Sequence, residues 1–298
     1  MELVNLEQFF KENKQLVEEY LTANISELHA PTVIVDAMKY SLDAGGKRIR
    51  PLLLLATLQS FGKDEAIGLP VAAAVEMIHT YSLIHDDLPC MDDDDYRRGK
   101  LTNHKVFGEA MAVLAGDALL TFSFQVITRL IKEYKIDPLT GMKLVEELAM
   151  AAGPEGMVGG QVADMEGEGK SLSLNDLIYI HEHKTGKLLE FSLVAGATLA
   201  NASEEEIKKL REVAYHIGLA FQIKDDILDI EGEQEKIGKR VGSDTANDKV
   251  TYPSLLTLEG AKDKLQEHIS AAKALLSSLE LKNDLLHQVC DLIGNRDH

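Results

Sequence analysis

Apolar residues recur three to four positions apart over most of this 298-residue chain, which is the spacing of amphipathic helices. Examples are the stripe from Leu3 to Leu21 and the stripe from Leu265 to Leu276. No run alternates polar and β-branched residues between turn dipeptides, as a half-buried strand would. Glycine, proline and short polar clusters divide the chain into about ten or more helices. The pattern predicts an all-α protein that forms one domain over residues 1–298.

Two segments are apolar almost all round and are expected at the centre of the fold. They are Leu69 to Ile84 and Ala110 to Ile127, whereas a peripheral helix carries a polar face. No stretch of the chain reaches about 18 uninterrupted apolar residues, so neither a membrane-spanning helix nor membrane insertion is predicted. The first segment runs directly into Asp86, and a carboxylate cluster at the end of a buried helix requires a functional explanation.

The charge balance excludes some partners. The chain has 31 Lys and Arg against 49 Asp and Glu, a formal net charge of −18. This argues against binding to nucleic acid, which needs a basic surface, and against attraction to anionic membranes. Cys90 and Cys290 are distant, and neither has zinc-ligand spacing, so a reducing, cytoplasmic setting is expected. The N-terminus has neither a signal-peptide nor a transit-peptide pattern, although a leader removed earlier would leave no trace.

The sequence DDILD predicts three carboxylates on one face of a helix. Asp225 and Asp229 are four residues apart, and Asp226 lies alongside. Like charges at this spacing destabilise a helix, and the flanking residues are apolar. Clustered carboxylates near apolar surface favour a hard cation, and Mg²⁺ takes one or two of them while keeping positions for water and phosphate oxygens. An ordinary acidic helix surface is the alternative.

The sequence DDLPCMD, from Asp86 to Asp92, is an acidic cluster of a different shape. Pro89 interrupts helical hydrogen bonding, so the chain must loop out before Asp92 returns near Asp86. Asp93 to Asp95 extend the acidic run and are expected in a solvated loop. An EF-hand calcium loop is excluded, because the glycine and the terminal glutamate that it requires are missing.

Basic residues beside both clusters indicate that this acidic chain binds oxyanions. Arginine can grip phosphate through two hydrogen bonds, and lysine supplies a point charge. The candidates are Lys47, Arg50, Arg97, Arg98, Lys184 and Lys239. With the acidic clusters they describe a site for two diphosphates, one bound through metal and one by cations alone. His79, on the apolar helix before Asp86, is either part of this site or a core histidine.

These motifs, in this order, resemble the trans-isoprenyl diphosphate synthases of the bacterial and plant type, which have a two-residue insertion in the first aspartate motif. The resemblance runs through most of the chain. It rests on GGKRIRP at 45–51, the segment 76–109, GGQVADME at 159–166, HKTGKL at 183–188, FQIKDDILDI at 221–230, GKRVGSD at 238–244 and DKVTYP at 248–253. It implies a bundle of long helices around a central cavity, usually assembled as a homodimer.

The resemblance also implies a role for each candidate residue. Two to three Mg²⁺ ions per site, with Mn²⁺ as a substitute, would hold the allylic diphosphate on Asp86, Asp87, Asp92, Asp164, Asp225, Asp226 and Asp229. The same diphosphate would contact Arg97, Lys184 and Lys239. Isopentenyl diphosphate, which needs no metal, would bind Lys47, Arg50, His79 and Arg98. Thr185, Gln222 and the backbone carbonyl of Lys184 would steady the allylic cation.

A terpene cyclase and a non-catalytic regulatory subunit are the rival interpretations. A cyclase normally has an Asn/Ser/Glu metal motif where this chain has DDILD, and it does not need the second diphosphate site that GGKRIRP indicates. A regulatory subunit tends to lose its acidic motifs, and here both are intact. The expected enzyme is a Mg²⁺-dependent prenyltransferase that joins isopentenyl diphosphate to dimethylallyl or geranyl diphosphate.

Tyr81 and Ser82, five and four residues before Asp86, are the candidates for setting the length of the product. At about 1.5 Å per helical residue, Tyr81 lies about 7 Å deeper than the metal site, where a ring would shorten the cavity. An aromatic residue there resembles the farnesyl-producing members of the subgroup, so farnesyl diphosphate is the expected product. Geranylgeranyl and geranyl diphosphate are the alternative products. A Tyr81 ring that packs sideways would have no effect on product length.

Overall fold

The all-α prediction is confirmed: the computed structural model, which describes residues 4–232 and 250–296, is 77% helical. The α-helices are α1 (Leu6–Ser26), α2 (Thr32–Leu42), α3 (Ile49–Ser60), α4 (Leu69–Asp86), α5 (Asn103–Phe107), α6 (Glu109–Ile127), α7 (Arg129–Glu133), α8 (Pro138–Ala152), α9 (Met157–Gly167), α10 (Leu174–Ile180), α11 (Lys187–Leu199), α12 (Glu204–Glu231), α13 (Tyr252–Ser277) and α14 (Leu285–Asn295). A 3₁₀-helix (Glu65–Gly68) precedes α4, and a π-helix (His181–Gly186) joins α10 to α11.

One short hairpin follows the first acidic motif. Its strands, β1 (Tyr96–Arg97) and β2 (Lys100–Leu101), pair antiparallel, with Tyr96 opposite Leu101 and Arg97 opposite Lys100. The turn residues Arg98 and Gly99 both have positive φ, 52° and 76°, as a type I′ hairpin turn requires. Strands of two residues leave no alternating pattern, which is why the sequence did not predict them.

The contacts of the chain group into two compact units. The first-motif unit, which carries DDLPCMD, comprises Glu7–Leu55 and Asp64–Glu146. The second-motif unit, which carries DDILD, comprises Met1–Leu6, Ala56–Lys63 and Glu147–His298. One domain over the whole chain stays a prediction.

Helix α4 forms the centre of the first-motif unit. It is buried without interruption from Pro70 to Ile78 and packs along α6, as its apolar sequence predicted. Helix α6 is less central than expected, because it buries one face against α4 and leaves Val113 and Leu114 40% and 48% exposed. The first acidic motif therefore begins where a buried helix ends.

Two helical stretches are long and apolar enough to cross a membrane by length and composition alone, Glu65–Asp86 and Glu109–Glu133. The most apolar window of the first is 78% buried inside the protein, and that of the second is 44% buried. Core helices of globular proteins pass the same test, so this finding is weak evidence for a membrane span.

Helix α12 organises the second-motif unit. It packs along α13 and also contacts α11 and the π-helix. A capping box begins it: the Ser203 hydroxyl accepts a hydrogen bond from the Glu206 N–H (3.3 Å), and Glu206 Oε2 accepts one from the Ser203 N–H (2.7 Å). From this fixed start the helix runs for 28 residues and carries DDILD near its other end.

We expect Ser203→Ala to lower the free energy of unfolding by about 1 kcal/mol, because the first turn of α12 loses its hydroxyl cap. Urea unfolding followed by circular dichroism measures the change. Ser270→Ala, an exposed site in the middle of α13, is the matched control and should cost nothing. Equal stability of the two variants would show that the capping box does not stabilise the start of α12.

Candidate active site

The first acidic motif forms a loop that returns to the end of α4, as Pro89 predicted. The N–H of Met91 donates to the Leu88 carbonyl (2.9 Å), and the N–H of Asp92 donates to the Asp86 carbonyl (2.8 Å). Asp86 is partly exposed and Asp92 is exposed. The loop thus places these two residues side by side, with carboxylates that solvent can reach.

Asp87 has a different environment from its neighbours in the motif. It is only 3% exposed, and its carboxylate accepts a hydrogen bond from Arg97 Nε (2.5 Å). Burial raises the pKa of Asp87 to about 6, and the positive charge of Arg97 opposes that rise. Arg97 also contacts Asp94 (3.2 Å). The structure therefore joins two predicted site residues, Asp87 and Arg97, to each other.

The hairpin brings Arg98 to the glycine pair of GGKRIRP. The Arg98 guanidinium donates to the Gly45 carbonyl and lies so close to Gly46 that a Cβ there would stand 2.6 Å from the guanidinium carbon. Gly46 also has a positive φ of 126°, so both its conformation and its neighbour favour glycine. On the same hairpin, Lys100 Nζ donates to the Asp43 carbonyl (3.1 Å).

Arg48, the arginine of GGKRIRP that was not predicted to have a role, is the buried one. It is 4% exposed, and its guanidinium contacts Glu76 Oε1 at 2.6 Å and the Leu42 carbonyl at 2.6 Å. Glu76, on α4, is 1% exposed. A third contact joins Arg48 Nε to Glu18 at 3.3 Å. This ion pair fixes Lys47 and the start of α3, which carries Arg50, against α4.

His79 lies near the cations of the same unit. It is on α4, one turn after Glu76, and burial together with the positive charges of Arg50 and Arg98 holds its pKa well below the usual value. The imidazole is therefore neutral at neutral pH and can still donate one hydrogen bond. Lys47 is exposed and Arg50 is partly buried. The structure gathers positive charge around His79, as an anion site would require.

Asp225 and Asp229 share one face of α12, as their four-residue spacing predicted, whereas Asp226 is buried. Asp225 is paired with Arg296 Nη2 at 2.8 Å. Arg296 also donates to the Phe221 carbonyl (2.7 Å) and lies 4.0 Å from the centre of the Phe221 ring. Sequence reasoning missed Arg296, since nothing local connects the end of the chain with DDILD.

The other carboxylates of DDILD differ in exposure. Asp226 is 7% exposed and accepts a hydrogen bond from the N–H of Tyr252 (2.8 Å), the first residue of α13. Asp229 is partly exposed and makes further polar interactions. Gln222 lies one turn before Asp225 and Asp226 on the same helix. Asp226 thus joins α12 to α13, while Asp225 and Asp229 lie nearer the surface.

The π-helix brings Lys184 to Asp164. Lys184 Nζ lies 2.6 Å from the Asp164 carboxylate on α9. A Cβ on Gly160 would meet the Lys184 backbone nitrogen at 2.1 Å, so the close approach of α9 requires glycine there. Thr185 lies within the π-helix and is partly exposed. A π-helical turn is rare and often marks a functional site. Lys239 lies outside the described residues.

Tyr81 and Ser82 lie on α4 before the first motif. Tyr81 is 6% exposed, and burial together with the charge of Asp86 raises the pKa of its phenol to about 12. Its ring meets that of His85 edge to face, with the centroids 5.7 Å apart. The Ser82 hydroxyl donates to the carbonyl of His79 on its own helix (3.0 Å). Tyr81 is therefore a neutral, buried ring directly beneath the motif.

The donor groups fit magnesium bound together with a diphosphate. Within each unit, no three His, Cys, Asp or Glu side chains of the described residues already converge as a metal site. Mg²⁺ ordinarily takes one or two carboxylates and completes its shell with water and phosphate oxygens. Asp86 and Asp92 in one motif, and Asp225 and Asp229 in the other, offer accessible carboxylates of this kind.

The chain belongs to the polyprenyl synthetase family. The family model described as polyprenyl synthetase matches residues 31–285, a span that includes every predicted site residue. This agrees with the resemblance that the motifs indicated.

Individual relatives refine the comparison. The chain is 60% identical over 298 residues to a farnesyl diphosphate synthase of Geobacillus stearothermophilus, covering 100% of both chains. It is 44% identical over 295 residues to a geranylgeranyl diphosphate synthase of Cyanophora paradoxa, covering 99% and 97%. Among solved structures, an FPP/GFPP synthase from Zymomonas mobilis matches with a TM-score of 0.85 and 38% identity, covering 97% of this chain and 99% of the other.

We expect Glu76→Ala to lower the free energy of unfolding by about 3–5 kcal/mol, because Arg48 would remain buried without its carboxylate. The matched control is Glu27→Ala, which removes the carboxylate of an exposed pair with Arg129 (3.2 Å) and should cost at most about 1 kcal/mol. Urea unfolding measures both. A loss for Glu76→Ala as small as the control's would contradict the structural role of the pair.

Proposed function

We propose that this protein is a short-chain trans-prenyltransferase that condenses isopentenyl diphosphate with dimethylallyl or geranyl diphosphate to give farnesyl diphosphate. The observation that carries the proposal is the similarity over the whole chain to a farnesyl diphosphate synthase, which exceeds that to a geranylgeranyl diphosphate synthase. Tyr81, buried directly beneath the first motif, supports the same product.

Magnesium is the proposed cofactor, with two to three ions on the allylic diphosphate and Mn²⁺ as a substitute. Asp86 and Asp92 would supply ligands from the first motif, and Asp225 and Asp229 from the second. Asp87 and Asp226 are buried, at 3% and 7% exposure, so they would act less directly. Asp164 would support a metal-bound water, with Lys184 beside it.

The two diphosphates would be held by different groups. Arg97, Lys184 and Lys239 would bind the allylic diphosphate. Lys47, Arg50, Arg98 and the neutral His79 would bind isopentenyl diphosphate without metal. The support for this division is local: Arg97 contacts the acidic motif through Asp87, whereas Arg98 contacts the glycine pair that precedes Lys47.

The reaction would proceed by ionisation and addition. Magnesium ions held by Asp86, Asp92, Asp225 and Asp229 would supply positive charge at the departing diphosphate, which would favour breaking of the allylic C–O bond. Arg97 and Lys184 would add positive charge at the same diphosphate. Thr185, Gln222 and the Lys184 carbonyl would direct their oxygen dipoles at the allylic cation. The alkene of isopentenyl diphosphate then forms the new C–C bond, and the released diphosphate is the proposed acceptor of the proton that is lost.

The proposed setting is a homodimer in the cytoplasm, a single domain per chain, with no nucleic-acid partner. The support is the acidic charge of −18 and the resemblance to a family that is usually dimeric.

We expect the purified protein to extend geranyl diphosphate with isopentenyl diphosphate in the presence of Mg²⁺ and to lose this activity in EDTA. Asp86→Ala and Asp225→Ala should each lower turnover by at least about 100-fold, because a magnesium ion that would neutralise the departing diphosphate would lose a protein ligand. Product extraction after a timed incubation gives the rates. Asp36→Ala, an exposed carboxylate on α2, is the control and should be unaffected. Failure to extend either primer would refute the synthase assignment.

We expect Tyr81→Ala to lengthen the main product beyond fifteen carbons, because the ring that we propose as the stop for the growing chain would be removed. Gas chromatography of the dephosphorylated products measures the chain length. Tyr20→Ala is the control for the general loss of an aromatic ring, because it removes a tyrosine of the first-motif unit whose hydroxyl donates a hydrogen bond to Glu133. An unchanged product length from Tyr81→Ala would mean that the ring packs sideways and does not limit the product.

A further inference from the structure

The His85 imidazole lies between Tyr81 and helix α6. It follows Tyr81 by four residues, so both side chains share one face of α4. A helical side chain lies over the turn that precedes its own Cα, which places the His85 ring over Tyr81. The two rings meet edge to face, with an interplanar angle of 76°.

Helix α6 holds the His85 ring from the other side. His85 Nε2 lies 3.1 Å from the Val113 carbonyl oxygen. Because a carbonyl only accepts hydrogen bonds, this contact requires the proton on Nε2. One turn further along α6 is Gly116, where a Cβ would stand 2.1 Å from His85 Nε2 and 2.5 Å from its Cδ2. The ring can take this position only because residue 116 is glycine.

These contacts leave the Tyr81 ring little freedom. Alternative rotamers of an aromatic side chain are separated by large rotations, so a ring released on one side can swing away from its original position. His85 blocks that side and is itself fixed by the Val113 carbonyl and by the space at Gly116. The chain of contacts therefore runs from the α6 backbone, through His85, to Tyr81.

We propose that His85 is a specificity-determining residue that positions Tyr81 as the stop for the growing prenyl chain, and that Gly116 provides the space for it. This inference rests on the proposed function and adds a reason why Tyr81 limits the product. His85 is a positioning residue, since it acts through Tyr81 and not on the reacting atoms.

The test compares the ratio of C20 to C15 product after incubation with geranyl diphosphate, isopentenyl diphosphate and Mg²⁺. We expect His85→Ala and Gly116→Ala each to raise this ratio about two- to tenfold, the factor that loss of one aromatic contact predicts. Gly116→Ala displaces the His85 ring by adding a Cβ beside it, so it tests the same contact without replacing the histidine. The ratio is compared at equal, low conversion of isopentenyl diphosphate, so that a variant with less active enzyme can still be compared with the wild type.

Three controls separate positioning from a general structural effect. Gly141→Ala, on α8, meets only the end of the Ile131 side chain at 3.2 Å and should leave the ratio unchanged. His85→Phe restores an aromatic edge beside Tyr81 and should return the ratio towards that of the wild type. The double variant Tyr81→Ala/His85→Ala should match Tyr81→Ala alone, because His85 would have nothing left to position.

Each outcome decides the proposal. An unchanged ratio in both His85→Ala and Gly116→Ala would overturn it, and so would a further increase in the double variant, which would show that His85 acts independently. If the wild type makes farnesyl diphosphate and Tyr81→Ala lengthens the product while neither His85→Ala nor Gly116→Ala does, only the inference about His85 fails. A wild type that forms no prenyl product would overturn the proposed function itself.

Discussion

The buried ion pair between Arg48 and Glu76 is the interaction on which the first-motif unit depends. Helix α4 is buried from Pro70 to Ile78, and Glu76 is the charged residue within that stretch. Its carboxylate is tolerable there because Arg48 contacts it at 2.6 Å. The same contact fastens the GGKRIRP segment, which includes the start of α3, to α4. The cations of that segment and the carboxylates at the end of α4 are therefore positioned together.

Local patterns allowed part of this structure to be predicted. The four-residue spacing of Asp225 and Asp229 indicated one helix face, and α12 has it. Pro89 indicated a loop after Asp86, and the Asp92 N–H closes that loop on the Asp86 carbonyl. Both predictions succeeded because helical periodicity and the missing proline N–H act within a few residues.

Contacts between residues distant in sequence could not be predicted. Arg48 looked no different from its neighbours Lys47 and Arg50, and only the fold buries it against Glu76. Arg296 reaches Asp225 from the far end of the chain. The π-helix that carries Lys184 and Thr185 has no sequence pattern that predicts it. The need for glycine at position 160 is explained only by the Lys184 backbone, which the fold places beside it.

The direction of two helices has a consequence for cation binding. The first motif begins at Asp86, the last residue of α4, and DDILD lies in the last two turns of α12, which ends at Glu231. The carboxyl end of an α-helix carries about half a negative elementary charge from its aligned peptide dipoles. Each acidic motif therefore lies where the backbone already disfavours carboxylates. The peptide dipoles of α4 and α12 therefore strengthen the attraction of each acidic motif for a cation, while each helix also holds the carboxylates of its motif in place.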